Sequence, residues 1–391
     1  MKIAFIDYVL DPARPGTSGL SDVVWNMARE LAKLGDDVHI IGPYSVAPPP
    51  VTGITVHRFQ LPPIGYRNIA GHILIVLAAW RIARRIPDLD VIHAPEYLTT
   101  GILAPFSRVP IVLTTPGNIY ERIAHGNPFD PLTTQVLKVA ARSSARWCML
   151  INAISNDMAI WWEKTGAAAD RVVVIPHGIN LSLFRSQRSR PLRRDDDPLR
   201  LLYVGRFSAE KNVSLLPTLM SELGRRGMDA HLDIVGKGPL EPRLRAEVTD
   251  LDIERLVSFH QWMSPNELVR MYSDADLLLV PSKSEPLGRV IMEAMACGTP
   301  VVGARAGGMP DLITDGTDGF LFDPDNLHGL LDLIQCAIAY PATLKRVSAN
   351  ALKTAHENWD WSTVMRSFRE AVAARLPNAA GMSGALVEEG T

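Results

Sequence analysis

Residues 281–308 read PSKSEPLGRVIMEAMACGTPVVGARAGG, and the order of residue types here decides how the chain folds. The run Leu277–Pro281 is short and apolar, which predicts a buried strand ending at the proline. A polar loop bearing Glu285 follows. Gly288 opens a helix, Gly298 with Pro300 closes it, and Val301–Ala304 is the next apolar run. Strand, loop, helix and strand in succession form the unit of a parallel sheet covered by helices.

The alternation extends in both directions. Ile3–Tyr8, Val38–Gly42, Val91–Ala94 and Ile111–Thr115 are the predicted strands of the first half. Between the first two, Leu20, Val24, Met27, Leu31 and Leu34 have the spacing of one buried helix face. In the second half the strands are Leu199–Val204, Ala230–Val235, Val257–His260 and the two already quoted. The polar, proline-bearing stretch Ser186–Pro198 breaks the order and reads as a linker. The expected architecture is α/β, with two Rossmann-like, doubly wound parallel-sheet domains over 1–190 and 199–358, joined by 191–198 and facing a cleft. A helix over 361–376 is expected to pack back on the first domain, and the small, polar 377–391 reads as a disordered tail.

Bulk properties narrow the class. The chain is 47% hydrophobic and 21% charged, as in soluble globular proteins. Cys148, Cys297 and Cys336 are odd in number and widely spaced, so neither a disulfide framework nor a zinc site fits, and a cytoplasmic location is expected. The first residues pass directly into a strand without the features of a signal peptide. A formal net charge of −2 argues against a general nucleic-acid binder. Charge is unevenly placed, with 19 basic against 14 acidic residues up to position 190 and 21 against 28 beyond it. That asymmetry is consistent with an anionic acceptor at the N-terminal half. The apolar run Ile69–Trp80 is too short to span a bilayer. The helix it belongs to, with Arg81, Arg84 and Arg85 near its end, reads better as a sheet-covering helix with a basic C-terminus than as a membrane-surface helix.

The chemistry gathers in the opening segment. Glycine at a helix start lets a ligand approach bare N–H groups, and the helix dipole favours an anion there; a diphosphate is the expected guest. Glu285 and Glu293 flank that site. Ionised carboxylates only accept hydrogen bonds, so their fitting partners are sugar and ribose hydroxyls. Singly, Glu285 reads equally as a helix cap and Glu293 as a solvated helix residue. The joint spacing of Glu285, Pro286, Gly288, Glu293, Gly298 and Pro300 favours the ligand reading.

With these residues the segment resembles the donor-site signature of glycosyltransferase family 4, a group of retaining, nucleotide-sugar-dependent enzymes of the GT-B fold. The resemblance implies that Glu285 holds donor-sugar hydroxyls and Glu293 the ribose. The amides of Leu287 and Gly288 would meet the diphosphate, with Arg289 and Val290 beside them. Gly205-Arg206-Phe207 and Glu210-Lys211-Asn212 are similar to the family's basic pair, which implies that Arg206 and Lys211 neutralise the leaving diphosphate. Gly236 belongs to a glycine turn near the nucleotide. Trp262 and Met263 flank the base, although Gln261 stands where the family commonly has glycine. Gly19, in the loop Gly16–Gly19, would bring its amide to the phosphates.

One departure concerns the catalytic side. Many family members carry a histidine where this chain has Pro116. His93, at a strand end, therefore joins Arg206, Lys211 and Glu285 as a catalytic candidate, while His177 reads as structural. The long loop 116–131 supplies acceptor candidates in Asn118, Tyr120, Glu121, Arg122 and His125. Asp88–Asp90, Asp195–Asp197 and Asp274–Asp276 contain Asp-x-Asp pairs but fall at turns and in the linker. Because arginine, lysine and a helix end do the neutralising, no metal and no cofactor is expected. The implied activity is retaining transfer of a hexosyl or other glycosyl group from a UDP- or GDP-sugar in glycoconjugate, polysaccharide or small-molecule glycoside synthesis. A non-catalytic nucleotide-sugar-binding protein and a phosphorylase or epimerase of the same fold are the alternatives. Base, sugar, acceptor and oligomeric state are not fixed by these residues.

Overall fold

A computed structural model describes residues 1–7, 19–44, 46, 48–60, 69–115, 131–188 and 197–377, the side chains of 19, 20, 69, 70 and 341 excepted. The acceptor candidates Asn118, Tyr120, Glu121, Arg122 and His125, together with Pro116, most of the expected linker and the tail beyond 377, lie outside the described residues. So does the loop before Gly19, which is itself the first helical residue.

The chain divides into two units, Met1–His177 with Trp361–Thr391, and Gly178–Asp360. The first contains β1 (Lys2–Ile6), α1 (Gly19–Lys33), β2 (Asp37–Gly42), β3 (Ile54–Arg58), α2 (Ile69–Ala83), β4 (Val91–Ala94), α3 (Tyr97–Leu103), β5 (Ile111–Thr115), α4 (Pro131–Trp147), β6 (Leu150–Ala153), α5 (Asn156–Thr165) and β7 (Val172–Val174). Its seven strands are ordered β3-β2-β1-β4-β5-β6-β7, and every pair is parallel. Strands β4, β5 and β6 are buried along their whole length. Burial on both faces removes any alternation with solvent-facing residues, and their polar members His93, Thr114, Thr115 and Asn152 are buried as well.

The helix Trp361–Ala373 completes this unit. Trp361, Val364, Met365, Phe368 and Val372 lie in one core cluster with Phe5 of β1, Val24 and Leu31 of α1, and Val38 of β2. Asp36, buried before β2, accepts from the Met1 ammonium at 2.8 Å and from Arg369 Nε at 2.9 Å. A buried carboxylate is tolerated only when paired in this way.

The second unit contains β8 (Leu199–Val204), α6 (Leu215–Arg225), β9 (Ala230–Val235), α7 (Glu241–Asp250), β10 (Val257–His260), α8 (Pro265–Asp274), β11 (Leu277–Val280), α9 (Arg289–Ala296), β12 (Val301–Ala304), α10 (Met309–Leu312), β13 (Phe320–Phe322), α11 (Leu327–Ala339) and α12 (Pro341–Asn358). Its six strands are ordered β10-β9-β8-β11-β12-β13, again all parallel. Gly178–Arg188 belong to this unit, ahead of the expected boundary at 190. The reason is local bonding. Ile179 N–H donates to the Trp359 carbonyl, Gln187 N–H to Ser273 Oγ, and the Arg188 guanidinium to the Ala275 and Gly298 carbonyls.

His93 is a core residue. It is 0% exposed on β4, its ring 4.8 Å from that of Phe5 and 5.7 Å from that of Phe368, with Nε2 2.8 Å from Thr114 Oγ1. Burial, with the charge of His177 adding to it, lowers its pKa to about 3. The imidazole is therefore neutral and enclosed, which removes it from the catalytic candidates.

Two outcomes follow from this packing. Phe368→Ala should cost the first unit about 3–5 kcal/mol of stability, read by denaturant unfolding, because it empties the centre of a dense core. The His93 effect has a definite sign. Its folded pKa lies below the ordinary 6.5, so the unfolded chain takes up the proton first as pH falls. Stability from this group is complete above pH 6.5 and is lost as pH falls towards about 3. His93→Gln should narrow the difference in thermal midpoint between pH 7 and pH 4, each chain compared with itself.

Candidate functional site

In each sheet the strand order reverses once, between β1 and β4 and between β8 and β11. Connections leave neighbouring strands toward opposite faces at such a point, and a crevice opens at their carboxyl ends. In the second unit the two lips are the turn after Val204, carrying Arg206 and Lys211, and the loop after Val280, carrying Glu285. Lys211 of the predicted basic pair and the predicted first glutamate thus meet at the switch point. Lys211 Nζ lies 2.5 Å from Glu285 Oε2, with the two side chains 22% and 14% exposed. A main-chain bond also joins the lips, from Lys283 N–H to the Glu210 carbonyl at 2.9 Å.

Each lip is built to hold its charged groups. On the β8 side, Tyr203 is buried and donates through its hydroxyl to the Arg206 carbonyl at 2.9 Å, while Ser208 Oγ donates to Glu210 Oε1 at 2.6 Å. Burial raises the Tyr203 pKa, and the nearby Glu285 and Glu210 charges raise it further, so the phenol stays a donor. Gly236, after β9, sits at φ 143°, and a Cβ there would stand 1.9 Å from the Gly205 carbonyl oxygen. Only glycine permits this close approach of the two turns. The Gly236 amide donates to the His260 carbonyl at 3.0 Å, which fixes where the Gln261–Met263 segment begins.

On the β11 side, Gly308 N–H donates to the Glu285 carbonyl at 2.8 Å and pins the loop from behind. Gly288 then caps α9 in the left-handed region, at φ 95° and ψ 55°, without a side-chain cap. The first-turn amides of a helix have no intrahelical partner, so the start of α9 presents donors and the positive end of its dipole beside Glu285. Leu287, Gly288, Arg289 and Val290 all fall at this helix start. Glu293 lies one turn in and is 8% exposed; Tyr272 Oη of α8 donates to its Oε2 at 3.0 Å, and Arg289 Nη2 is 3.7 Å from its Oε1. It is a held, largely enclosed carboxylate rather than a solvated helix residue. Trp262 is 74% exposed, an indole face open to solvent after β10.

Two acidic pairs do something other than hold a metal. Asp90 Oδ2 accepts from Lys2 N–H at 2.7 Å, and Asp276 Oδ2 from Arg200 N–H at 3.0 Å. Both carboxylates staple the amino ends of the strand pairs whose carboxyl ends form the crevices. Among the described residues no group of three histidine, cysteine or acidic side chains is arranged to hold a metal ion. No single described helix is long and apolar enough to cross a membrane.

Tyr203, Tyr272, Ser208 and Gly308 are site-building residues that the motif reading passed over or took as framework. Tyr272 has one usable signal, its three-residue spacing from Val269 on the buried face of α8. Nothing in that spacing tells what its hydroxyl meets.

Comparison with known proteins gives the family. Residues 17–183 match the family model Glycosyltransferase Family 4, and residues 184–354 match Glycosyl transferases group 1. D-inositol 3-phosphate glycosyltransferase from Acidothermus cellulolyticus is 30% identical over 342 residues, covering 80% of this chain and 76% of that protein. Among solved structures, sucrose-phosphate synthase from Thermosynechococcus elongatus superposes with a TM-score of 0.78 at 22% identity, covering 95% of this chain and 99% of that one. Anabaena HepE, solved with UDP and glucose, superposes with a TM-score of 0.74 at 22% identity, covering 96% and 100%. Paired Rossmann-like sheets, a switch-point crevice with its basic pair and two glutamates, and these matches lead to one conclusion: the chain belongs to glycosyltransferase family 4, the nucleotide-sugar-dependent glycosyl transferases of the GT-B fold.

Proposed function

We propose that the chain transfers a glycosyl group from a UDP- or GDP-sugar to an acceptor hydroxyl with retention at the anomeric carbon, without a divalent metal. The observation that carries this reading is the contact of Lys211 with Glu285 at the switch point, beside the amino terminus of α9 and with Arg206 on the same lip as Lys211. In this reading Lys211, Arg206 and the helix start supply positive potential for a departing diphosphate, and such preorganised charge is the largest single contribution in many enzymes. Here that charge comes from the protein itself.

Lys211 and Arg206 stabilise the leaving diphosphate, the amides of Leu287 and Gly288 bind its oxygens, and Glu285 accepts hydrogen bonds from donor-sugar hydroxyls. Glu293 accepts from the ribose. The bond from the anomeric carbon to the diphosphate oxygen breaks, and its electron pair leaves with the phosphate. The acceptor oxygen then bonds to the same face of the oxocarbenium-like centre, and its proton passes to the leaving phosphate oxygen. Neither glutamate serves as a nucleophile. Glu285 is engaged by Lys211, and Glu293 is enclosed by Tyr272 and Arg289. The relative named D-inositol 3-phosphate glycosyltransferase, with the basic excess of residues 1–190, makes a phosphorylated polyol the first acceptor to test.

Lys211→Ala should lower kcat/KM by about 10²–10³ while the thermal midpoint changes little, read as nucleoside diphosphate released per unit time. Proton NMR of the first-formed product should show the donor's anomeric configuration; inversion would sink the front-face scheme. Activity should persist in excess chelator, and loss of turnover restored by manganese would overturn the metal-free reading.

A further inference from the structure

Glu293 presents a physical problem that the family resemblance does not address. A carboxylate that is 8% exposed loses most of its hydration, and it stays ionised only if nearby groups replace the lost hydrogen bonds. The replacement comes from α8. Tyr272 is 0% exposed, and its hydroxyl donates to Glu293 Oε2 at 3.0 Å.

The phenol is itself fixed. Its own carbonyl accepts from Thr299 Oγ1, and the Phe184 ring meets its ring edge-on at 6.4 Å. The helix that carries it starts from a capping box in which Ser264 and Glu267 satisfy each other's backbone amides. Tyr272 is thus a rigid donor aimed at one oxygen of one carboxylate. Arg289 Nη2, 3.7 Å from Oε1 on the other side, adds positive charge. A carboxylate oxygen accepts more than one hydrogen bond, so Oε1 keeps capacity for a ligand hydroxyl.

Building on the donor reading above, we propose that Tyr272 is a positioning residue. It clamps Oε2 of Glu293 so that Oε1 is presented at a fixed angle to the vicinal diol of the nucleotide ribose, and it thereby sets discrimination for ribose over deoxyribose. Being fully enclosed, Tyr272 touches no substrate and acts only through Glu293. A freely rotating carboxylate would still attract a hydroxyl, but it would lose the geometric advantage that separates a diol from a single hydroxyl. Sites built to hydrogen-bond a hydroxyl reject the analogue lacking it because the polar group is left unpaired.

The test is a double-mutant cycle read by calorimetric binding of UDP and GDP, each compared with its 2′-deoxy and 3′-deoxy forms. The full-length chain is used as wild type, Tyr272→Phe, Glu293→Gln and the double variant. Wild type should prefer the ribonucleotide over at least one deoxy form by about tenfold. Tyr272→Phe should bring that ratio close to one, chiefly by weakening the ribonucleotide, and in kinetics should raise donor KM more than it lowers kcat. In the Glu293→Gln background the same change should add nothing. If Tyr272→Phe fails to fold because it leaves a buried charge short of a donor, the double variant should fold, since glutamine carries no charge. A thermal midpoint restored in that way supports the coupling.

Unchanged discrimination in Tyr272→Phe alongside its loss in Glu293→Gln overturns the positioning role and leaves the donor site intact. Equal losses from Tyr272→Phe in both backgrounds overturn it as well. Discrimination unchanged in Glu293→Gln, or no binding of either nucleotide, overturns the donor reading on which the proposal stands.

Discussion

Everything at the candidate site depends on the reversal of strand order between β8 and β11. In a wholly parallel sheet each connection must cross a face, and at one place two adjacent strands send their connections to opposite faces. The ends of those two strands are left uncovered. Charged groups gathered there must be held against solvation and against each other. The Lys211–Glu285 pair does this across the two lips, and the bond from Lys283 N–H to the Glu210 carbonyl does it in the main chain. The Gly205–Gly236 approach brings a third turn against the first. The constellation therefore follows from topology first and from individual side chains second.

Much of the fold was legible because its strands are buried on both faces and its helices on one, which leaves apolar runs and 3.6-residue stripes in the sequence. The basic pair and the two glutamates were legible for a related reason. Arg206, Lys211 and Glu285 sit in turns between such elements, where glycine and charge have few other uses, and Glu293 follows in the helix that the last of these turns opens. What stayed hidden are contacts between elements far apart in sequence. That Glu293 receives the Tyr272 hydroxyl depends on how α8 lies against α9, and no periodicity reports it. His93 misled for the opposite reason. A strand end in this fold usually faces a crevice, but β4 is short and a helix from the far end of the chain supplies Phe368 over the ring. The first domain was expected to run to 190 because Ser186 and Gln187 read as part of a polar linker, although the Gln187 main chain already bonds within the second unit.

The two sheets share one device at their quiet ends. Asp90 precedes β4 and binds the amide of Lys2 in β1; Asp276 precedes β11 and binds the amide of Arg200 in β8. In each case the aspartate returns a main-chain bond to the partner strand, from the Asp90 amide to the Lys2 carbonyl and from the Asp276 amide to the Arg200 carbonyl. Acidic pairs that resemble metal-binding signatures thus fix the register of the very strands that part to form the crevice. The candidate site sits at one end of the switch point and its anchoring at the other.

The first unit is made of two separated pieces of chain, with the second unit inserted between His177 and Trp361. During synthesis the nascent chain emerges from its amino end, so the inserted unit is complete before Phe368 and Val372 exist to fill the core of the first. Until then the side chains of Phe5, Val24 and Leu31 face an unfinished interior. The first unit is therefore closed only after the second has been made, and the helix Trp361–Ala373 decides when its exposed apolar surface disappears.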